Sequence, residues 1–196
     1  MQATAWVCAV LCATPLFAGE RMSVSVCTMG RLSKNVMAGA EAEAAALFHS
    51  MDIEIVWARC EAAPIGEEAA QQHWFTIRLR DGGPVVTGPA SLDTLGEAFF
   101  SDDQGSYVAD VYYQASQALA SRQQVEPAAL LGYVMAHELG HLLLGPGHAP
   151  NGIMRAAWDS KDLEAIRYGS LKFTGAESAR IHKVLQDTVS RTASAF

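Results

Sequence analysis

Apolar positions along the chain recur with two periods, every second residue in some segments and every third or fourth in others. Residues 22–29 (MSVSVCTM) alternate in part and predict a strand. Ser33 is placed to cap the next element, since residues 34–51, rich in Ala, Glu and Leu, predict a helix. Residues 52–59 (DIEIVWAR) have strong period-two character and predict a half-buried strand. Residues 61–71 contain Pro64 and Gly66 and read as a loop. Residues 74–80 (WFTIRLR) alternate again, and Asp81-Gly82-Gly83-Pro84 breaks the pattern.

Residues 92–100 predict a short edge strand, 101–106 (SDDQGS) a turn and 107–113 (YVADVYY) a further strand. A helix is expected over 115–124. Pro127 then opens a long apolar helix reaching about Leu144, with proline in the first turn where its missing N–H costs nothing. Gly145-Pro146-Gly147 ends it, and two more helices are expected over 158–168 and 176–192. The first strand–helix–strand unit implies a right-handed crossover between two parallel strands. The half before the long helix is strand-rich, the half after it helical, and no internal repeat or low-complexity tract interrupts them.

Composition narrows this picture. Half of the 196 residues are hydrophobic, enough for a sizeable core in one ordinary domain. Only 18% are charged, which argues against a disordered chain. Fourteen Lys and Arg against 21 Asp and Glu give a net charge of −7, which argues against a nucleic-acid partner. No long apolar run lies beyond the first residues, so no internal membrane span is expected.

Residues 1–18 carry no charged side chain. Residues 5–11 form a compact apolar run, and Ala18 presents a small residue before Gly19-Glu20. This pattern predicts a secretory signal peptide over 1–18, cleaved after Ala18, and a single domain over 19–196, secreted or periplasmic. The other reading of 1–18 is a buried N-terminal strand or helix. Cys8 and Cys12 would leave with the signal, and Cys27 and Cys60 would remain. An even count in an exported chain predicts a disulfide between them; the other reading is two buried thiols acting as small hydrophobes.

The chemistry sits on the long helix, where His137-Glu138-Leu139-Gly140-His141 forms an H-E-x-x-H pattern. His137 and His141 are four apart and project from one face about a turn from each other. Two imidazoles at that spacing can bind one Zn²⁺. Glu138 points about 100° round the helix, close to the metal without having to be a ligand. There it can take a proton from a metal-activated water and pass it to a leaving amine. The bland reading is a helix with two incidental histidines. The surrounding helix is nearly all apolar, however, and burying two His and a Glu there without partners is costly.

Catalytic zinc takes a third protein ligand and keeps one position open. His148 comes just after Gly145-Pro146-Gly147, where glycine permits a sharp reversal and proline stops the helix. The reversal predicts His148 beside the two helical histidines; its other reading is an exposed loop histidine. Glu164 and Asp159 are rival third ligands, but Leu163 and Ala165 give Glu164 no polar surround. His49, His73 and His182 lie in segments without ligand spacing.

His137-Glu138-x-x-His141, then Gly145 and His148, then Gly152-Ile153-Met154, resembles the zinc signature and methionine turn of the metzincin metallopeptidases. The family pattern places two residues between the second His and the Gly; here Leu142, Leu143 and Leu144 make three. The extra residue adds about 3.5 Å of chain at most, which a longer helix or wider turn absorbs. The resemblance implies an α+β, zincin-like fold. Its twisted mixed sheet has one antiparallel edge strand, and it packs with a long active-site helix and a helical C-terminal part.

The resemblance also implies that residues 95–100 supply the edge strand, which pairs with an extended substrate through its backbone. Met154 becomes the methionine beneath the ligands. Arg155 and Trp158 would lie near the pocket for the residue after the scissile bond. Where some members place a helper tyrosine, this chain has Arg155 and Ala156. Arg155 is left between oxyanion stabilisation and a structural salt bridge.

Two functions are open to such a chain. The first is an exported zinc endopeptidase with one Zn²⁺ on His137, His141 and His148, Glu138 as general base, and a peptide or protein substrate. The second is a non-proteolytic zinc-binding envelope or interaction protein on the same scaffold. Glu138 favours the first, since a purely structural zinc has no need of it.

Overall fold

A computed structural model describes residues 19–60, 74–83, 94–100 and 108–193, with side chains as far as residue 187. The expected signal peptide, the loop over 61–71, His73 and the turn over 101–106 lie outside these residues. The elements are β1 (Glu20–Met29), α1 (Lys34–His49), β2 (Ile53–Arg59), β3 (Trp74–Arg80), β4 (Gly96–Phe99) and β5 (Val108–Tyr112), and then α2 (Tyr113–Gln123), α3 (Pro127–Leu144), α4 (Ser160–Arg167) and α5 (Gly175–Ala193).

The strands form one sheet in the order β2-β1-β3-β5-β4. β1 runs parallel to β2 and β3, and β3 parallel to β5; β4 alone is antiparallel, on the edge beside β5. β1 is therefore interior, and Val24, Ser25, Val26 and Cys27 are all buried. Buried Ser25 is satisfied by the Trp74 indole N–H at 2.6 Å. Cys27, at the end of β1, is bridged to Cys60, just past β2, across 33 residues of chain.

The core lies between the sheet and two helices. α1 buries Met37, Ala40, Ala44, Leu47 and Phe48, one face at helical spacing. That face meets α3, which is buried nearly all round, as its uninterrupted apolar sequence requires. The approach is close at Gly132, where a Cβ would stand 2.6 Å from the Glu43 Cβ and 2.8 Å from the Ala40 carbonyl oxygen.

Local boundaries shift for identifiable reasons. Ser33 holds the N-cap position of α1, but its side chain makes no cap bond. Asp52 has a φ of 58°, a left-handed turn that starts β2 at Ile53. α4 starts at Ser160, because Asp159 caps it and Asp162 returns the bond to the Asp159 N–H. Among the described residues no helix is long and apolar enough to cross a membrane.

Candidate metal centre

α3 begins with Pro127 in its first turn, and the Glu126 carboxylate accepts the Ala129 N–H at 2.8 Å. It runs unbroken through Leu144, so the extra leucine continues the helix and does not widen the loop. Gly145, with φ 87° and ψ −179°, then turns the chain in a conformation open essentially to glycine alone. Gly147, at φ 131°, completes the reversal.

The reversal brings His148 back over α3. The Nε2 atom of His141 lies 3.0 Å from that of His137 and 3.2 Å from that of His148. Nitrogens on a tetrahedral zinc sit about 3.3 Å apart, so the three are spaced to share one cation. They form a cluster of potential metal ligands with all three ligand atoms within 4.8 Å of one another. The far side of the rings fixes the tautomer. His137 donates from Nδ1 to the Ile153 carbonyl at 2.7 Å, and the Nδ1 of His141 faces the Gly145 carbonyl at 3.4 Å. Both rings thus keep an unprotonated Nε2 toward the common point. Burial pushes the His137 imidazole down to about 4 and lowers His141 as well, so both are neutral donors at neutral pH. Three imidazole nitrogens converging on one point are a donor set that fits zinc.

A second loop packs against the helix that carries the histidines. Gly152 (φ 77°) turns it, the Ala149 N–H bonds the Met154 carbonyl at 2.8 Å, and the Ile153 N–H bonds the Lys172 carbonyl at 3.1 Å. Met154 is buried, and a Cβ on Gly140 would collide with its Sδ. α3 therefore crosses the methionine at its one side-chain-free residue between the two helical histidines. The Ile153 carbonyl also accepts the Trp158 indole N–H at 3.2 Å, and the Trp158 ring packs edge-on against His137 at 5.8 Å.

Glu138 is 4% exposed, and its Oε2 is buried without a hydrogen-bond partner among the described residues. Burial pushes its carboxyl up to about 8, and the Glu97 carboxylate adds to the shift. A cation on the histidines would favour the charged form, which accounts for an orphaned carboxylate here. An open cavity of roughly 700 Å³ joins His137, Glu138, His141 and His148 to the β4 edge and Trp158.

The rival ligands stand apart. Asp159 caps α4 and pairs with Arg155 at 2.7 Å, and these bonds hold its carboxyl at about 2. Glu164 is exposed on α4 and joins no metal-type cluster among the described residues. Arg155 is held by Asp159 and Asp162, the salt-bridge reading of that residue. His182 pairs with Glu20 at 2.7 Å, and His49 closes α1. Sequence reasoning missed Gly96, Leu119 and Arg122, which line the cavity. Only Gly96 had a signal, a glycine inside a strand, which often marks close backbone approach.

Sheet order, edge strand, long helix and histidine cluster together define a metzincin-like fold. The solved structure of archaemetzincin from Methanopyrus kandleri matches it with a TM-score of 0.52 at 15% identity, covering 86% of this chain and 98% of that one. No protein-family profile and no curated protein sequence matches the chain.

Proposed function

We propose that this chain is an exported zinc endopeptidase. The observation that carries the reading is the convergence of three Nε2 atoms beside Glu138, whose buried Oε2 has no partner among the described residues, at the wall of an open cavity. His137, His141 and His148 would hold the ion. Zinc so bound supplies Lewis acidity, polarising a peptide carbonyl and acidifying water.

The chain's own residues do the rest. Glu138 accepts the proton of the attacking water at its carboxylate and delivers it to the departing amine nitrogen. The Ile153 carbonyl holds the His137 tautomer through its bond from Nδ1. β4 is a sheet edge that lines the cavity, so an extended peptide can add to it as a further strand. The Cys27–Cys60 bridge supports export, since such bonds persist in oxidising compartments.

Glu138→Gln tests this reading. Zinc binding should be retained and cleavage of a denatured protein substrate lost. Unchanged cleavage would remove the mechanism. Zinc binding with no cleavage by the unmutated chain would leave the non-proteolytic alternative.

A further inference from the structure

We infer that Arg122 selects peptides bearing a carboxylate side chain, and that the cavity beside His137 is the pocket that receives it. The inference deepens the peptidase reading and rests on it for the direction of substrate binding.

The pocket has an apolar wall. Val134 lies three residues before His137 on α3, so it occupies the same face one turn back. Trp158 stands edge-on to His137. Leu119, on α2, faces the same cavity. α2 packs along α3, and Arg122, exposed and three residues after Leu119, shares its face and also lines the cavity. Apolar side chains and one exposed guanidinium thus line the same cavity as His137.

The charges around the cavity are not equivalent. Arg155 also lines it, but its guanidinium is committed to Asp159 and Asp162. Glu97 sits at the Glu138 end, where it accepts the Tyr112 hydroxyl at 3.3 Å. Arg122 forms no ion pair among the described residues. Its place in the last turn of α2 suits the helix dipole, and its donors meet no acceptor among the described residues. The end of α2 is itself tied down, since Arg167 on α4 donates to the Gln123 carbonyl at 2.8 Å. An always-charged fork on an anchored helix beside an apolar wall is suited to a carboxylate.

The test uses zinc-loaded protein and blocked alanine-based peptides that differ only in one Glu, Gln or Lys. A second set with a free C-terminus separates a side-chain carboxylate from a chain end. Cleavage is measured with the unmutated chain, and calorimetric binding with Glu138→Gln. The Glu peptide should be preferred over the Gln peptide about five- to tenfold in both readouts. Arg122→Ala should erase that ratio, and Arg122→Glu should turn the preference toward Lys. Equal Glu and Gln values in the unmutated chain, or a ratio unchanged in Arg122→Ala, would overturn the inference while cleavage stood. A preference for a free C-terminus over internal Glu would overturn it as well. A Glu preference in binding with no cleavage would sustain the Arg122 assignment and sink the peptidase reading. Neither binding nor cleavage would sink both.

Discussion

A Cβ placed on Gly96 would stand 2.6 Å from the Glu138 Cδ and 2.7 Å from its Cγ. The edge strand therefore closes on the carboxylate at the one strand position that carries no side chain. Gly96→Ala should push the carboxylate away while leaving the histidines in place. The expected fall in kcat/KM is about a hundredfold, the scale of an ångström of misplacement, with zinc affinity unchanged in a competition titration. Activity within twofold of the unmutated chain would mean that the contact positions nothing.

Glu138→Gln keeps the side-chain volume and removes the carboxylate proposed as the base. Its loss in kcat is expected to fall between about 10² and 10⁴, the range for a positioned proton-transfer group. Single-turnover kinetics measure it.

Gly145 holds φ 87° with ψ −179°, and it aims the loop that carries His148. Gly145→Ala is expected to cost about 1–3 kcal/mol in urea unfolding. It should also weaken zinc binding, though less than His148→Ala does. If His148→Ala binds zinc as tightly as the unmutated chain, His148 is not a ligand.

Asp159 gives the pH dependence. Its carboxyl is held at about 2 by Arg155 and by the α4 N-terminal amides, below an ordinary value of 3.8. A depressed carboxyl contributes stability that is complete above its unfolded value and is lost as pH falls through its folded one. Asp159→Asn keeps the cap acceptor and loses the ion pair. The unmutated chain should be the more stable above about pH 4, and the gap should narrow as pH falls through about 2 and close by about pH 1. Urea midpoints across that window measure it. A gap that persists undiminished at about pH 1 would assign the effect to something other than this charge.

The Cys27–Cys60 bridge closes 33 residues of chain. Replacing both cysteines with serine is expected to cost about 3–4 kcal/mol, the loop-closure value for that length. Denaturant unfolding with and without reductant measures it.

Much of this was legible in the sequence, for physical reasons that differ by element. β3 and α3 came out at their observed bounds, because WFTIRLR alternates cleanly and α3 is framed by Pro127 and Gly145. The convergence of His148 was legible because two glycines flank the reversal that produces it. α4 was misplaced by two residues because its start depends on the Asp159–Asp162 capping box, which Trp158 obscured. The closeness of Gly96 to Glu138 was not legible, since it depends on how β4 in the sheet meets α3, about 40 residues away in sequence. Arg122 was invisible for the same reason. Its role rests on the packing of α2 against α3 and on the commitment of Arg155 to two aspartates.

One zinc ion held by His137, His141 and His148, with a position left open next to Glu138, is the arrangement on which the proposed function depends. An anomalous-difference map at the zinc edge, from crystals of the chain beginning at Gly19, examines it without an intermediary. A single strong peak within bonding distance of the three Nε2 atoms is expected, with no fourth protein ligand. A map with no peak there, with His148 turned away, or with a fourth side chain closing the site would refute that arrangement.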